Sequence, residues 1–514
     1  MYLTQSVHRN AQQDAAGIAT IYGERTRTWA ENLDRIARLA GGLRNQGVAE
    51  GDRVAILSLN SDNYHEYYYA SWWLGAVINP VNTRWSAAEI SYSLEDCDSR
   101  VLVVDDAFLP MLPAILAEAP CVKTVIHCGD GGAPDGLVSW DKLLHADPVE
   151  DLRRGNGALA GIFYTGGTTG FPKGVMLTHG QLVASCLGSC ASGNFSVPGG
   201  RLLHAAPMFH LADLAFGLAR DQIGGTHVIV PSFTPDGVLS AIETHQVTDA
   251  LLVPTMLQLL VDAPAAKEAD LSSLQKIAYG ASPISEAVLE RVSRLLPDVA
   301  LTQAYGMTEL APVATLLSPA DHEVPELRRA AGRAAPHVEV RIVDDNDQEV
   351  PRGEVGEIVV RGPNVMVGYW NKPEETAAAL IDGWMHTGDG GRMDENGYVF
   401  VVDRIKDMIV TGGENVYSAE VENAVCLHPA VAACAVIGVP DDEWGERVHA
   451  VVVLKPEGSL ELEELREHVK AKIAGYKSPR SMEIMDALPV SGAGKVLKRE
   501  LRQMYWGDAG RAVH

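Results

Sequence analysis

Short apolar runs separated by helix-like stretches occur twice along this chain, and that repetition restricts the fold more than any other feature. Runs at 54–57, 101–104 and 122–126 alternate with helical patterns around 63–75 and 107–117. A second series follows at 202–206, 227–230, 250–253, 276–278 and 301–304. Such brief runs, rich in apolar residues, read as buried strands, the texture of parallel sheets whose crossovers are helices. The fold class expected is therefore α/β, with two doubly wound sheets. Between 332 and 370 the texture changes to strands (338–343, 357–361) around a Pro351-Arg352-Gly353 turn, which predicts a small antiparallel sheet or β-barrel. Beyond Arg404 a compact α+β pattern is expected, with strands at 433–439 and 449–454 and an amphipathic helix over 461–473.

At 514 residues the chain exceeds one ordinary core, so two or more domains are expected. A net charge of −25 argues against general nucleic-acid binding and against an anionic membrane surface. Seven cysteines without a Cys-x-x-Cys pair fit neither a disulfide framework nor a zinc ribbon, and suit a reducing cytoplasm. The first residues lack the basic and apolar regions of a secretory signal. The longest greasy stretch, 251–261, is broken by Pro254 and falls short of the roughly 20 residues a membrane span needs.

The segment Tyr164-Thr165-Gly166-Gly167-Thr168-Thr169-Gly170-Phe171-Pro172-Lys173-Gly174-Val175 is dense in glycine and hydroxyls and carries one lysine. Glycines let backbone amides approach a bulky anion, the threonines add donors and Lys173 adds charge, which together make a phosphate cradle. The spacing is neither Walker A nor the Gly-x-Gly-x-x-Gly of dinucleotide folds. A second segment, Tyr305-Gly306-Met307-Thr308-Glu309, follows a predicted strand, at the edge where open α/β sheets bind ligands. There a tyrosine can stack on a purine, Thr308 can bond a phosphate and Glu309 can hold Mg²⁺. Taken alone, this stretch could equally be a strand end with a helix cap.

The first loop resembles the signature of the adenylate-forming superfamily of acyl-CoA synthetases, peptide-synthetase adenylation domains and luciferases, and further motifs follow in family order. They are Tyr279-Gly280-Ala281-Ser282, Tyr305–Glu309, Thr387-Gly388-Asp389, Asp403–Asp407, Thr411–Glu422 and Pro489–Arg499. The resemblance implies that Thr165, Gly166, Gly167, Thr168, Thr169, Gly170 and Lys173 receive the phosphates of ATP. It implies further nucleotide contacts from Gly280, Ala281, Ser282, Gln303, Ala304, Tyr305, Gly306 and Thr308, with Asp389 and Arg404 on the ribose or phosphate. By the same resemblance Lys495 reaches the acyl carboxylate and α-phosphate, and Gly412, Gly413 and Trp444 meet CoA. His210, with Gly306 and Met307, borders the acyl pocket. The departures are mild: Gly167 where serine is frequent, Tyr-Gly-Ala-Ser at 279–282, and Ser-Gly-Ala-Gly-Lys at 491–495.

The family also implies a division into an N-terminal nucleotide- and acyl-binding part (1–403), a hinge at 404–406 centred on Lys406, and a mobile C-terminal lid (407–514). The activity expected is AMP-forming ligation of a carboxylic acid to CoA, with catalytic roles for Lys495, His210, Thr308, Glu309 and Lys173 and with ATP, Mg²⁺ and CoA consumed or bound. A medium- or long-chain fatty acid is the substrate expected first, with an aryl or arylpropenoic acid as the alternative. Transfer to a carrier protein, and an inactive ligand sensor, are the rival readings. The sequence leaves open whether the protein is a monomer or a homodimer.

Overall fold

In the computed structural model, residues 1–506 are described apart from 166–171, 283, 285, 405–406, 412–413, 442–443, 457 and 492–495, and apart from the side chains of 403, 404 and 415. Two large mixed sheets draw their strands from residues 18–369. One has nine strands, with six parallel at its centre: Ala300–Gly306, Lys276–Gly280, Asp249–Leu251, Arg201–His204, Thr226–Ile229 and Ile18–Tyr22. The other has eight, again with six parallel, from Leu159–Thr165 through Val77–Pro80 and Arg53–Leu57 to Ser99–Val104, Thr124–His127 and Val138–Ser139.

The expected strands are present in both sheets, but neither sheet is parallel throughout. Val313–Leu317 and Arg333–Ala334 close one edge of the first in antiparallel fashion, and Lys173–Thr178 and Gly368–Tyr369 do the same for the second. The reason is chain length between partners. Strands joined by a short hairpin must run antiparallel, because a parallel return needs a crossover of a dozen or more residues. Both hairpins lie at the carboxyl end of the last parallel strand of their sheet, and each contains one of the two signature segments.

Residues 333–369 stitch the sheets together. Arg333–Ala334 pairs into the first, and Gly368–Tyr369 crosses to pair with Val175 and Met176 in the second. Between them Glu339–Val343 and Val355–Arg361 begin a five-stranded antiparallel sheet, the small β unit expected from this stretch. It runs further than the turn-rich segment suggested, through Trp384–Met393 to Val399–Arg404.

The helices bury one face against these sheets, and their ends are set by local chemistry. Trp29–Asn45 begins at a capping box in which Thr28 and Glu31 satisfy each other's backbone amides. Asp62–Trp73 is buried along its whole length, and Trp72 Nε1 donates to Ala160 O at 2.9 Å. That bond anchors the strand that ends at Thr165, and burying the indole adds on the order of 2–3 kcal/mol.

A fourth sheet is built entirely from residues after 408: Ile409–Thr411, Glu414–Val416, Val431–Asp441, Gly445–Leu454 and Ser481–Ile484. Its helix at Leu462–Lys470 is shorter than the 461–473 stretch expected, because its last turn passes into the Ala471–Ala474 bend. No helix among the described residues is long and apolar enough to cross a membrane.

Candidate active site

The carboxyl edge of the nine-stranded sheet is shaped by two residues that can only be glycine. Gly280 and Ala304 are register partners, and a Cβ on Gly280 would lie 2.0 Å from Ala304 O. A Cβ on Gly306 would lie 1.9 Å from Pro312 O. Ala281 sits at φ +67, a left-handed conformation that costs a non-glycine residue about 1–2 kcal/mol. Gly280, Ala281 and Ser282 thus lie beside Gln303, Ala304, Tyr305 and Gly306 at the ends of adjacent parallel strands. The Tyr279 hydroxyl donates to Gln303 Oε1 at 3.3 Å, beneath that edge.

Past Gly306 the chain turns through Met307 into a short 3-10 turn, Thr308–Leu310. Asn364 holds this turn from outside, donating to Leu310 O at 2.5 Å and to Val313 O at 3.0 Å, while Met366 N donates to Glu309 O at 2.8 Å. Glu309 is 6 % exposed, and its Oε1 accepts from the Tyr369 hydroxyl at 2.8 Å. Burial and the neighbouring carboxylate push the Tyr369 hydroxyl well above its ordinary range, so it remains a donor.

Tyr369 also meets the other signature. Its ring lies 5.1 Å from the ammonium of Lys173, a cation–π contact. Lys173 pairs with Thr165 as the first residues flanking the glycine- and threonine-rich segment 166–172. Tyr369 therefore joins Lys173 to Glu309, one from each sheet. Sequence reasoning missed it; the only available signal was a Gly368-Tyr369-Trp370 aromatic pair inside a turn-rich stretch. A buried carboxylate with one oxygen bonded to Tyr369 suits a hard dication bound with phosphate oxygens, so Glu309 fits Mg²⁺ by its donor type.

Asp389 reaches the same edge from the five-stranded sheet. Gly388, at φ +71, makes the turn before it, and Glu357 secures that turn by accepting from Gly388 N at 2.8 Å. Thr387 donates to Ile358 O at 2.7 Å and accepts from Asp389 N at 3.1 Å. The Tyr305 hydroxyl then donates to Asp389 Oδ2 at 2.8 Å. Asp389 is the backbone register partner of Arg404 on the neighbouring strand. Glu357 is a second residue that sequence reasoning did not find.

His210 is half-buried at the N-cap of helix Leu211–Ile223, with its ring centroid 4.2 Å from that of Phe209. The loop before it is clamped from the other sheet. Asn60 Oδ1 accepts from Met208 N at 2.8 Å, Asn60 Nδ2 donates to Ala206 O at 2.9 Å, and the Tyr68 hydroxyl donates to Met208 O. Phe216 from this helix packs in one apolar cluster with Ala304, Val313 and Leu316. The helix and the 304–316 stretch thereby share a wall of small and apolar side chains.

Trp444 is exposed near the turn between Val431–Asp441 and Gly445–Leu454, and the Arg480 guanidinium stacks 4.3 Å from its ring. Arg84, beyond the carboxyl end of strand Val77–Pro80, donates to Ser491 O at 3.2 Å, bringing the segment before Lys495 to the sheet edge. Gly166, Gly167, Thr168, Thr169, Gly170, Lys406, Gly412, Gly413 and Lys495 lie outside the described residues, as does the Arg404 side chain.

The chain matches the family described as "AMP-binding enzyme" over residues 7–370, and "AMP-binding enzyme C-terminal domain" over residues 420–495. A feruloyl-CoA synthase from an Amycolatopsis species is 41 % identical over 498 residues, covering 97 % of this chain and 98 % of that protein. A fatty acid–acyl-carrier-protein ligase from Streptomyces coeruleorubidus is 38 % identical over 518 residues, covering 100 % and 98 %. Among solved structures, o-succinylbenzoate CoA synthetase from Bacillus subtilis, in complex with its acyl-adenylate intermediate, is similar with a TM-score of 0.85 at 32 % identity, over 99 % of this chain and 99 % of that one. This chain belongs to the AMP-binding enzyme family and is an adenylate-forming enzyme of the acyl-CoA synthetase kind.

Proposed function

We propose that the protein joins a hydrophobic carboxylic acid to CoA through an acyl-adenylate, with a medium- or long-chain fatty acid as the first reading. The observation that carries the activity is the meeting of Lys173, Tyr369 and Glu309, with Tyr305 and Asp389, at the carboxyl edges of both sheets. In the first half-reaction a carboxylate oxygen bonds to the α-phosphorus of ATP, and the bond from that phosphorus to the pyrophosphate oxygen breaks. An anion attacking a polyanion needs its charge neutralised more than it needs covalent help. Lys173, Thr168, Thr169 and Lys495 are assigned that task, and Asp389 with Arg404 is assigned the ribose. Mg²⁺ held through Glu309 would supply further neutralisation of phosphate charge. In the second half-reaction the CoA sulfur attacks the acyl carbonyl and AMP leaves.

The two half-reactions are assigned to two poses of a lid, 407–514, turning about 404–406 with Lys406 at its centre against the 1–403 part. Gly412, Gly413 and Trp444 are assigned to CoA in the second pose. His210, Gly306 and Met307 are assigned to the acyl pocket, and the cytoplasm is the expected compartment.

An arylpropenoic acid is the second reading, favoured by the 41 % identical relative named for feruloyl-CoA. One experiment tests both: purified protein is given ATP and CoA with a panel of fatty, benzoic and cinnamic-type acids, and AMP release is followed. AMP and pyrophosphate with one class of acid support the proposal. Release of ADP and phosphate, or acid adenylation that CoA does not discharge while an acyl-carrier protein does, overturns it.

A further inference from the structure

Away from this site, six ionisable side chains are packed where the helices of the two large sheets meet. His65 and Tyr69 stand one turn apart on helix Asp62–Trp73. Asp213 and Asp221, eight residues apart, share one face of helix Leu211–Ile223, and His204 and His227 lie on adjacent parallel strands. The three histidine and two aspartate side chains are each 5 % exposed or less.

They form a chain of hydrogen bonds. Asp213 Oδ2 bonds His204 Nδ1 at 2.7 Å, His204 Nε2 bonds His227 Nδ1 at 2.9 Å, and His227 Nε2 bonds Asp221 Oδ1 at 3.0 Å. The Tyr69 hydroxyl donates to Asp221 Oδ2. His65 stands beside this chain with both ring nitrogens buried and without a hydrogen-bond partner among the described residues. Its Nε2 is 3.9 Å from Asp221 Oδ2.

Proton bookkeeping makes the cluster unusual. Ionised carboxylates only accept, so His204 Nδ1 and His227 Nε2 must both carry protons, and the bond between the rings needs a third. Three protons on two imidazoles make one cation against two carboxylates, and balancing the second carboxylate without a metal takes a second imidazolium at His65, its ring 4.8 Å from that of His227 and sealed from water, which is unfavourable. A dication among His65 Nε2, Asp221 and His227 Nε2 closes the count. His227 then gives its Nε2 lone pair to the metal and donates from Nδ1 to His204, and His204 donates from Nδ1 to Asp213. Both rings are neutral, the charges cancel, and His65 gains a partner. The candidate ligand atoms lie within 4.8 Å of one another. Tetrahedral zinc, with bonds near 2.0–2.1 Å, holds its ligand atoms about 3.4 Å apart.

We propose that His65, Asp221 and His227 form a buried structural site for a zinc-class dication, with Asp213 acting through His204 to orient His227. Two imidazoles and one carboxylate favour such an ion over Mg²⁺. The site would tie helix Asp62–Trp73 to the helix that begins beside His210.

The test uses the full-length protein produced in zinc-supplemented medium and dialysed against a weak chelator. About one zinc per chain by elemental analysis is expected, with a lower melting temperature after removal by a strong chelator and recovery on adding Zn²⁺. His65→Ala should abolish retention, while Asp213→Asn should bind zinc roughly 10–100-fold more weakly. Should His65→Ala fail to fold, the wild-type protein reloaded with Co²⁺ decides: a visible spectrum with imidazole ligation supports the site. Metal-free protein whose melting ignores Zn²⁺ and chelator, zinc that His65→Ala leaves in place, or a Co²⁺ form without imidazole ligation overturns it.

Discussion

The Tyr305 hydroxyl donates to Asp389 Oδ2 at 2.8 Å across 84 residues of sequence, so two signature segments meet in one hydrogen bond. A tyrosine able to stack on a base thereby also orients the carboxylate assigned to the ribose. Hydrogen bonds to charged groups contribute about 1.5–3 kcal/mol. Tyr305→Phe is expected to lower kcat/KM for ATP by roughly 10-fold or more, chiefly through KM, with kcat/KM for CoA little changed. Steady-state kinetics with each substrate varied checks this; equal losses for both substrates would show a general structural effect instead.

Glu309→Gln keeps the size of the side chain and an oxygen able to accept from Tyr369, but removes the charge. The Mg²⁺ concentration for half-maximal acyl-AMP formation should rise on the order of tenfold. Tyr369→Phe should raise it less, because the carboxylate remains but loses a positioning bond. An unchanged Mg²⁺ dependence in Glu309→Gln would remove Glu309 from the metal-binding role.

Lys495→Ala should abolish acyl-AMP formation, by a factor on the order of 10²–10³, while largely preserving thioester formation from supplied acyl-AMP. The two half-reactions are measured separately, by pyrophosphate exchange and by CoA consumption. Arg84→Ala, which loses the 3.2 Å contact to Ser491 O, should act in the same direction by only a few-fold, since that contact is exposed. Equal loss in both assays for Lys495→Ala would eliminate the two-pose mechanism.

His179 predicts an acid sensitivity of stability. Burial holds its pKa down, to about 4 from the ordinary 6.5, and its Nδ1 accepts from Leu3 N at 3.4 Å as a neutral ring. The unfolded chain therefore binds the proton first as pH falls, so stability is full above about pH 6.5, declines between 6.5 and 4, and levels off below. At pH 5 this one group should cost on the order of 2 kcal/mol. Urea midpoints at pH 7.5 and 5 should differ less in His179→Gln, which cannot titrate, than in the parent chain. An identical difference in both would exclude His179 as a source.

Much of the framework was legible in the linear pattern. The runs at 54–57, 227–230 and 301–304 became parallel strands, because short stretches rich in apolar residues between helical segments find burial most readily in such sheets. The N-terminal hairpin was not: Ile18–Tyr22 is apolar enough, but its partner Thr226–Ile229 lies two hundred residues away. The signature segments could be found because glycine and hydroxyl spacing is a local property. Their placement at the two hairpins where parallel pairing ends could not.

The amino-acid order by itself determined many of the strands and which loops are dense in glycine and hydroxyls, since both depend on neighbours a few residues apart. Tertiary structure alone decided that Tyr369 sits between Lys173 and Glu309, that Asn60 and Tyr68 clamp the loop before His210, and that His204 and His227 line up between two aspartates with His65 beside them. Those relationships join residues from different sheets and helices. Their geometry comes from strand order and packing, and no periodicity along the chain encodes it.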